Sequence, residues 1–377
     1  MKLKRKMNMK KIGVLTFHRS LNYGAVLQAK GLVESVKKIG FEAELIDYRN
    51  ETLEKRDSFK RFYTYEGIVR NIFNLVEMPF WLIRRRKFDA FLIEAGVSGN
   101  IKHINDQTTE SYTKLIVGSD QVWNPKVTGH DVSYFFSDVT DHSKKVSYAA
   151  SFGVNTLAEE SENIYTSNLN KIEMLSVREQ SGVDLVQGMI DKKPTLVIDP
   201  SMLLNKEEWR EIYKKHCSDP IIDGKYIVIY QRAFSKSLIE FAKELSVKTG
   251  YKLVTITGNP RQIIKGKYVQ SAGPIEWLNI VDNAEVVVTN SFHGVAFALN
   301  FNKKLFVEYL NPKFGVNTRL ENIIKYFDVE KSLINKSSTK VEILDLLNDP
   351  INYDKVNIKL EEYRNSSKYF LESSLNK

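Results

Sequence analysis

The sequence predicts an α/β protein with parallel sheets, divided between two domains. Three observations carry that prediction. A chain of 377 residues has room for two separate cores. Its opening, Lys11–Tyr48, reads as strand, helix and strand, and a βαβ unit of this kind favours parallel pairing. A second alternation of strands and helices starts near Ser201 and closes on the apolar run Lys304–Val307. With 42% hydrophobic and 27% charged residues, the composition is that of an ordinary soluble globular protein.

Each element has its own signal. Lys11–Phe17 (KIGVLTF) is a strand and His18–Gly24 (HRSLNYG) a polar turn. Ala25–Lys38 follows as a helix with Val26, Leu27, Leu32, Val33 and Val36 at its apolar positions, and Gly40 ends it. Phe41–Tyr48 alternates as the second strand. The turn lacks G-x-G-x-x-G, so a dinucleotide fingerprint is absent. Glu51–Ala95 is helical and very basic, with aromatics beside four consecutive cations in Trp81–Phe88 (WLIRRRKF). Leu115–Gly118 is a strand running into the polar turn Ser119–Pro125, where Asp120 either faces a ligand or caps the turn. Val146–Ala150 is a strand, a helix follows around Glu159–Lys171, and Met174–Val177 is the next strand. Arg178 and Glu179 open a helix at its end, so Arg178 suits either an oxyanion or a surface salt bridge. Leu196–Ile198 leads into Asp199-Pro200-Ser201. In the second half, Tyr226–Gln231 and Lys252–Thr257 are strands, while Ser237–Val247 and Pro274–Val281 are helices. The amphipathic tail Val356–Leu375 packs as a helix across one of the domains.

Composition narrows the function classes. A single cysteine, Cys217, rules out an internal disulfide and a cysteine-based metal cluster, and fits a reducing compartment. No apolar run reaches 18 residues and the basic start lacks an apolar signal region, so neither a membrane span nor a secretion signal is expected. No His/Asp/Glu cluster has metal-ligand spacing, so no metal is expected. The net charge of +9 is uneven: residues 1–90 hold 20 Lys/Arg against 10 Asp/Glu, and the remainder 35 against 36. Such asymmetry points to an anionic partner or to a merely solvated basic face. Trp81–Phe88 accordingly reads as a peripheral membrane helix or as a helix packed on its own domain. No nucleic-acid module accompanies the charge, so nucleic acid is not expected as a partner.

The most informative stretch is Ala284–Leu299 (AEVVVTNSFHGVAFAL). Val286–Val288 is a short β-branched strand, Thr289, Asn290 and Ser291 are helix-capping residues, and Val295–Leu299 is an apolar helix. His293 therefore falls at a strand's carboxyl end and on a helix's first turn, where open α/β sheets bind ligands. The helix amino end attracts anions, and a titratable imidazole beside it suits acid–base chemistry on a phosphorylated substrate. A core histidine bonded to a backbone carbonyl fits the same pattern.

Six segments occur in a telling order: YGAVLQAKGL, VGSDQVWNP, VSYAASFG, LSVRE followed by Ser181, VIDPS and TNSFHGVAFAL. Together they resemble the polysaccharide pyruvyl transferase family over roughly residues 11–330. The resemblance implies two Rossmann-like domains facing a cleft, as in GT-B glycosyltransferases. It also implies that phosphoenolpyruvate donates its three-carbon unit to two hydroxyls of one sugar, forming a cyclic pyruvate ketal and releasing phosphate. Under it, His293 and Asp120 are the expected catalytic residues. The imidazole protonates either the enol carbon or the leaving phosphate, and Asp120 accepts a hydroxyl proton or orients the sugar. Arg178 is expected to hold the phosphate or carboxylate of phosphoenolpyruvate together with the turn Ser291–Gly294. Asn290 is also expected to bind substrate, with Asn22, Tyr23 and Gly24 at the first helix and Ser119 and Gln121 beside Asp120. Several family members carry an Arg where this chain has Ser291. Arg319, or Lys313 in the preceding loop, is the expected substitute.

The expected organisation is a Rossmann-like domain over 1–200 with a basic helical insertion at 51–95, a second over 201–335 carrying His293, and a helical tail over 336–377. The expected protein is a cytoplasmic enzyme of capsule, exopolysaccharide or cell-wall glycan assembly. It has no cofactor beyond the donor substrate, acts on a polyprenyl-lipid-linked sugar, and touches the inner face of the membrane. Two other readings stand beside it: a nucleotide-sugar glycosyltransferase, and a non-catalytic glycan- or membrane-binding scaffold.

Overall fold

The computed structural model describes residues 10–57, 68–257, 266–310, 317–334 and 345–377, with helix side chains at 55–57 and 68–76 left aside. By their contacts the described residues form two units. One draws on Met1–Ser58, Leu92–Leu203 and Tyr363–Lys377, the other on Phe59–Phe91 and Leu204–Glu362.

In the first unit, β1 (Lys11–Leu15), α1 (Tyr23–Ile39) and β2 (Glu42–Tyr48) make the opening βαβ turn. The helices α2 (Glu51–Asp57) and α3 (Ile68–Ala95) follow, and α3 starts in the second unit and ends in the first. Then come β3 (Val97–Ile101), β4 (Lys114–Val117), α4 (Pro125–Thr128), β5 (Lys145–Ser147), α5 (Glu159–Leu169), β6 (Ser176–Val177), α6 (Gln180–Met189) and β7 (Thr195–Leu196). Five strands pair in the order β3-β2-β1-β4-β5, all parallel. The chain steps outward from β1 to β3, then returns to β4 on β1's other side. The order therefore reverses between β1 and β4, and ligands bind open sheets at such a point. Leu15, Leu115, Val117, Trp123, Phe135 and Phe152 are among the residues of the core on this sheet.

The second unit repeats the plan with α7 (Lys206–Lys214), β8 (Tyr226–Tyr230), α8 (Lys236–Thr249), β9 (Lys252–Ile256), β10 (Lys267–Val269), α9 (Pro274–Asp282), β11 (Val286–Thr289), α10 (Phe292–Asn300), β12 (Lys304–Val307) and α11 (Thr318–Tyr326). Its order is β10-β9-β8-β11-β12, again all parallel, with the reversal between β8 and β11. Both faces of β8 and β11 are buried, which explains their unbroken apolar runs YIVIY and VVVT.

The final helix, Tyr353–Asn376, begins in the second unit and ends in the first. In the second unit Lys359 reaches Asp328 Oδ2 at 2.6 Å. In the first, Arg364 donates to the Met202 carbonyl at 2.7 Å and Ser367 accepts the Ile198 N–H at 2.9 Å.

Candidate active site

The second unit's strand end is built around Thr289. Its hydroxyl donates to the Tyr230 carbonyl at 2.6 Å and accepts the Ser291 N–H at 3.0 Å, fixing the chain as it leaves β11. Asn290 is spent on the neighbouring loop, accepting the Arg232 N–H at 2.7 Å and donating to the Ala233 carbonyl at 2.8 Å. Gly294 lets α10 approach the strand, because an added Cβ would fall against Thr289 Oγ1 well inside contact distance. Ser291 stands at the N-cap of α10 but its side chain makes no capping bond. It hydrogen-bonds Tyr230 instead. His293 lies on the first turn of α10, 7% exposed, its ring edge-on to Phe292 at 5.1 Å. The Arg319 guanidinium stands 6.0 Å from the Phe292 ring centre, so α11 brings a cation to the same aromatic. Lys313 lies outside the described residues.

The first unit's strand end holds a denser polar cluster. Gly118, at φ 119°, turns the chain after β4 where a side chain would strike the Tyr148 carbonyl. Asp120 follows at φ 72°, a left-handed conformation uncommon outside glycine. Its carboxylate accepts the Gln121 N–H at 2.9 Å and lies 3.7 Å from Arg178 Nη2. The Arg178 side chain, 2% exposed, also meets Asp199 Oδ2 at 2.6 Å and Glu179 Oε2 at 3.6 Å. Burial pulls the guanidinium pKa down, but Asp199, Glu179 and Asp120 outweigh it and raise it. Ser119 donates to Asp199 at 3.2 Å, and Ser151 to Glu179 at 2.6 Å. Three carboxylates thus surround one cation, a setting that suits hydroxyl groups better than an anion. Glu179 is the N-cap of α6, and Arg178 precedes the helix rather than opening it.

The remaining expected residues make contacts within their own segments. Asn22 caps α1 by accepting the Gly24 N–H at 3.0 Å, and Tyr23 and Gly24 are buried in the first turn. Gln121 accepts from Asn124 at 3.2 Å.

Sequence reasoning missed a second cluster in this unit. His18 is buried with Nδ1 3.0 Å from the Thr16 carbonyl and Nε2 3.1 Å from Asp47 Oδ1. Arg19 grips the same carboxylate at 2.8 and 2.6 Å. Burial pushes the Asp47 carboxyl up, yet the His18 and Arg19 hydrogen bonds hold it well below the usual range. Gln28, also missed, donates to Thr16 Oγ1 and accepts the Ser119 N–H, linking the ends of β1 and β4. The available signal was positional: neighbouring parallel strands bring together the residues at their carboxyl ends.

Two of the four cations in the basic run on α3 are ion-paired. Arg85 pairs with Asp89 at 3.2 Å and Lys87 with Glu276, while Arg86 is exposed. Among the described residues no helix is long and apolar enough to cross a membrane.

No curated protein matches the sequence. Among solved structures, a candidate UDP-N-acetylglucosamine 2-epimerase from Listeria monocytogenes is similar at 13% identity and a TM-score of 0.52, over 92% of this chain and 90% of that one. A UDP-GlcNAc 2-epimerase from Neisseria meningitidis, bound to UDP-GlcNAc, aligns over 98% of both chains at 10% identity and a TM-score of 0.48. The Listeria likeness and the two Rossmann-like units identify a GT-B-like fold. The family model described as polysaccharide pyruvyl transferase matches residues 22–309, a span that takes in Asp120, Arg178, Asp199 and His293, and the chain belongs to that family.

Proposed function

We propose that this transferase moves the three-carbon unit of phosphoenolpyruvate onto two hydroxyls of a sugar, forming a cyclic pyruvate ketal. The observation that carries the reading is His293, a nearly buried imidazole on the first turn of α10. A helix amino end stabilises an anion, and the imidazole beside it has a proton to give or take. A proton added to the enol CH₂ makes C2 electrophilic. One sugar hydroxyl adds there, phosphate leaves with its bridging oxygen, and the second hydroxyl closes the ring. Two hydroxyl protons are released; one is consumed at carbon and the other goes to the departing phosphate. His293 serves as the acid in this scheme, and Asp120 accepts a hydroxyl proton.

The clusters divide the labour by charge. Three carboxylates around Arg178 favour acceptor hydroxyls, and Arg178 then positions Asp120 rather than gripping the donor. The donor belongs with the helix amino end near His293. A lipid-linked sugar of capsule, exopolysaccharide or cell-wall glycan is the acceptor this chemistry suits. Membrane contact rests on the charge of residues 1–90, since two of the four cations at Arg84–Lys87 are ion-paired.

Phosphate release from phosphoenolpyruvate, measured with candidate lipid-linked sugars and with UDP-sugars as control donors, tests the proposal. His293→Ala should lower turnover by about two to four orders of magnitude. Wild-type turnover and pH dependence in that variant would remove His293 from the chemistry. Transfer from a UDP-sugar without phosphoenolpyruvate would replace the reaction itself.

A further inference from the structure

The α3 run Arg84–Lys87 points inward at one position. Lys87 is anchored at the start of α9, ion-paired with Glu276, and its Cβ lies 2.6 Å from where a side chain on Gly273 would begin. Arg84 precedes Lys87 by three residues, so it shares that helix face. Trp277, one residue past Glu276, is fully buried and sits edge-on to Tyr230 at 5.3 Å. Tyr230 ends β8, is 8% exposed, and hydrogen-bonds Ser291 at the amino end of α10. Burial pushes its phenol up to about 12, against the pull of Arg232, the Ser291 hydrogen bond and Arg84. Two cations from different elements therefore bear on this phenol electrostatically, and the Arg232 backbone is tied to the same strand end by its N–H bond to Asn290 Oδ1 at 2.7 Å.

Neither cation has an acidic partner among the described residues, and Arg84 Nε is buried without a hydrogen-bond acceptor. A buried guanidinium nitrogen with no protein acceptor is costly, and native structures rarely keep one for no purpose. Ser291, the N-cap that Tyr230 hydrogen-bonds, makes no side-chain capping bond to α10. We infer that Arg84 and Arg232, with the Tyr230 hydroxyl and the amino end of α10, bind a small anion: the phosphate or carboxylate of the donor. The inference rests on the pyruvyl-transfer reading and names the groups that hold the donor. Tyr230 and Ser291 are buried, so the phosphate of a bilayer surface cannot take this place.

The test is isothermal titration of the full chain with phosphoenolpyruvate and, separately, inorganic phosphate. Arg84→Gln and Arg232→Gln should each weaken both ligands about tenfold or more, the usual worth of a charged hydrogen bond, with melting temperatures near wild type. Arg232 is exposed, so its variant keeps the test valid should Arg84→Gln fold poorly. Unchanged dissociation constants in the folded variants overturn the inference. Wild-type protein that binds phosphate but not phosphoenolpyruvate, with both variants weakened, overturns the pyruvyl-transfer reading and leaves the anion site standing. Wild-type protein that binds neither overturns both.

Discussion

Lys145, the first residue of β5, is wholly buried, and its ammonium has no hydrogen-bond partner among the described residues. Burial and Lys171 pull its pKa down to about 8, against Asp106, Asp138 and Asp141. The folded protein binds this proton less tightly than the unfolded chain does. Charging Lys145 therefore costs stability below about pH 8, and the cost fades as the pH climbs to the free lysine value of about 10.4. Lys145→Met keeps an unbranched side chain and removes the charge, so it should stabilise the protein by about 1–3 kcal/mol at pH 7. Urea titrations at pH 7 and 10.5 should show the gain at the first and little at the second. No gain at pH 7 would mean that the three aspartates already compensate the charge. At this scale the sequence was legible where a feature lies within one segment, as in the strand end, N-cap and first helical turn of Thr289–Gly294. It was silent on His18, Arg19 and Asp47, because neither strand end marks its partner until β1 and β2 pair at Val14 and Leu45.

Among the elements, the β11–α10 turn concentrates the constraints. Thr289 ties β11 to β8, and Gly294 seats the helix on that threonine. Gly294→Ala must push α10 away from the strand end, an overpacking cost of about 1–3 kcal/mol. Because His293 is the preceding residue, turnover should fall by more than stability explains. Thermal melts and initial rates at a temperature where both proteins are folded separate the two effects. Wild-type rates would show that the helix adjusts without moving the imidazole. Strands and helices with strong periodic patterns were readable in advance, and Lys304–Val307 has the expected limits. The edge strands β3 (VSGNI) and β10 (KYV) were not, being short and partly polar. They exist because β2 and β9 offer an open edge to pair with. Helix α7 also escaped notice, since only Trp209, Ile212 and Tyr213 break its run of charges.

For the whole molecule, the two α/β halves were visible in the order of strands and helices. The pattern over 356–375 announces a buried face but not which unit buries it. Residues Tyr363–Lys377 belong to the first unit, where Phe370, Leu371 and Leu375 are buried and Phe370 packs against Tyr148. Deleting 363–377 removes those three side chains and bares the apolar surface they cover, a loss of roughly 5–8 kcal/mol and comparable to a domain's entire stability. Amides of β1 and β4 should then exchange with solvent quickly, while those of β8 and β11 stay protected. Unchanged protection in β1 would show that the first unit stands without the helix.

That arrangement has a consequence for biosynthesis. Residues 363–377 leave the ribosome only after every residue of the second unit has been made. The nascent first unit, begun earliest, is finished last. Throughout the translation of some 160 intervening residues, Leu204–Glu362, it presents to solvent or to a chaperone the apolar surface later covered by Phe370, Leu371 and Leu375.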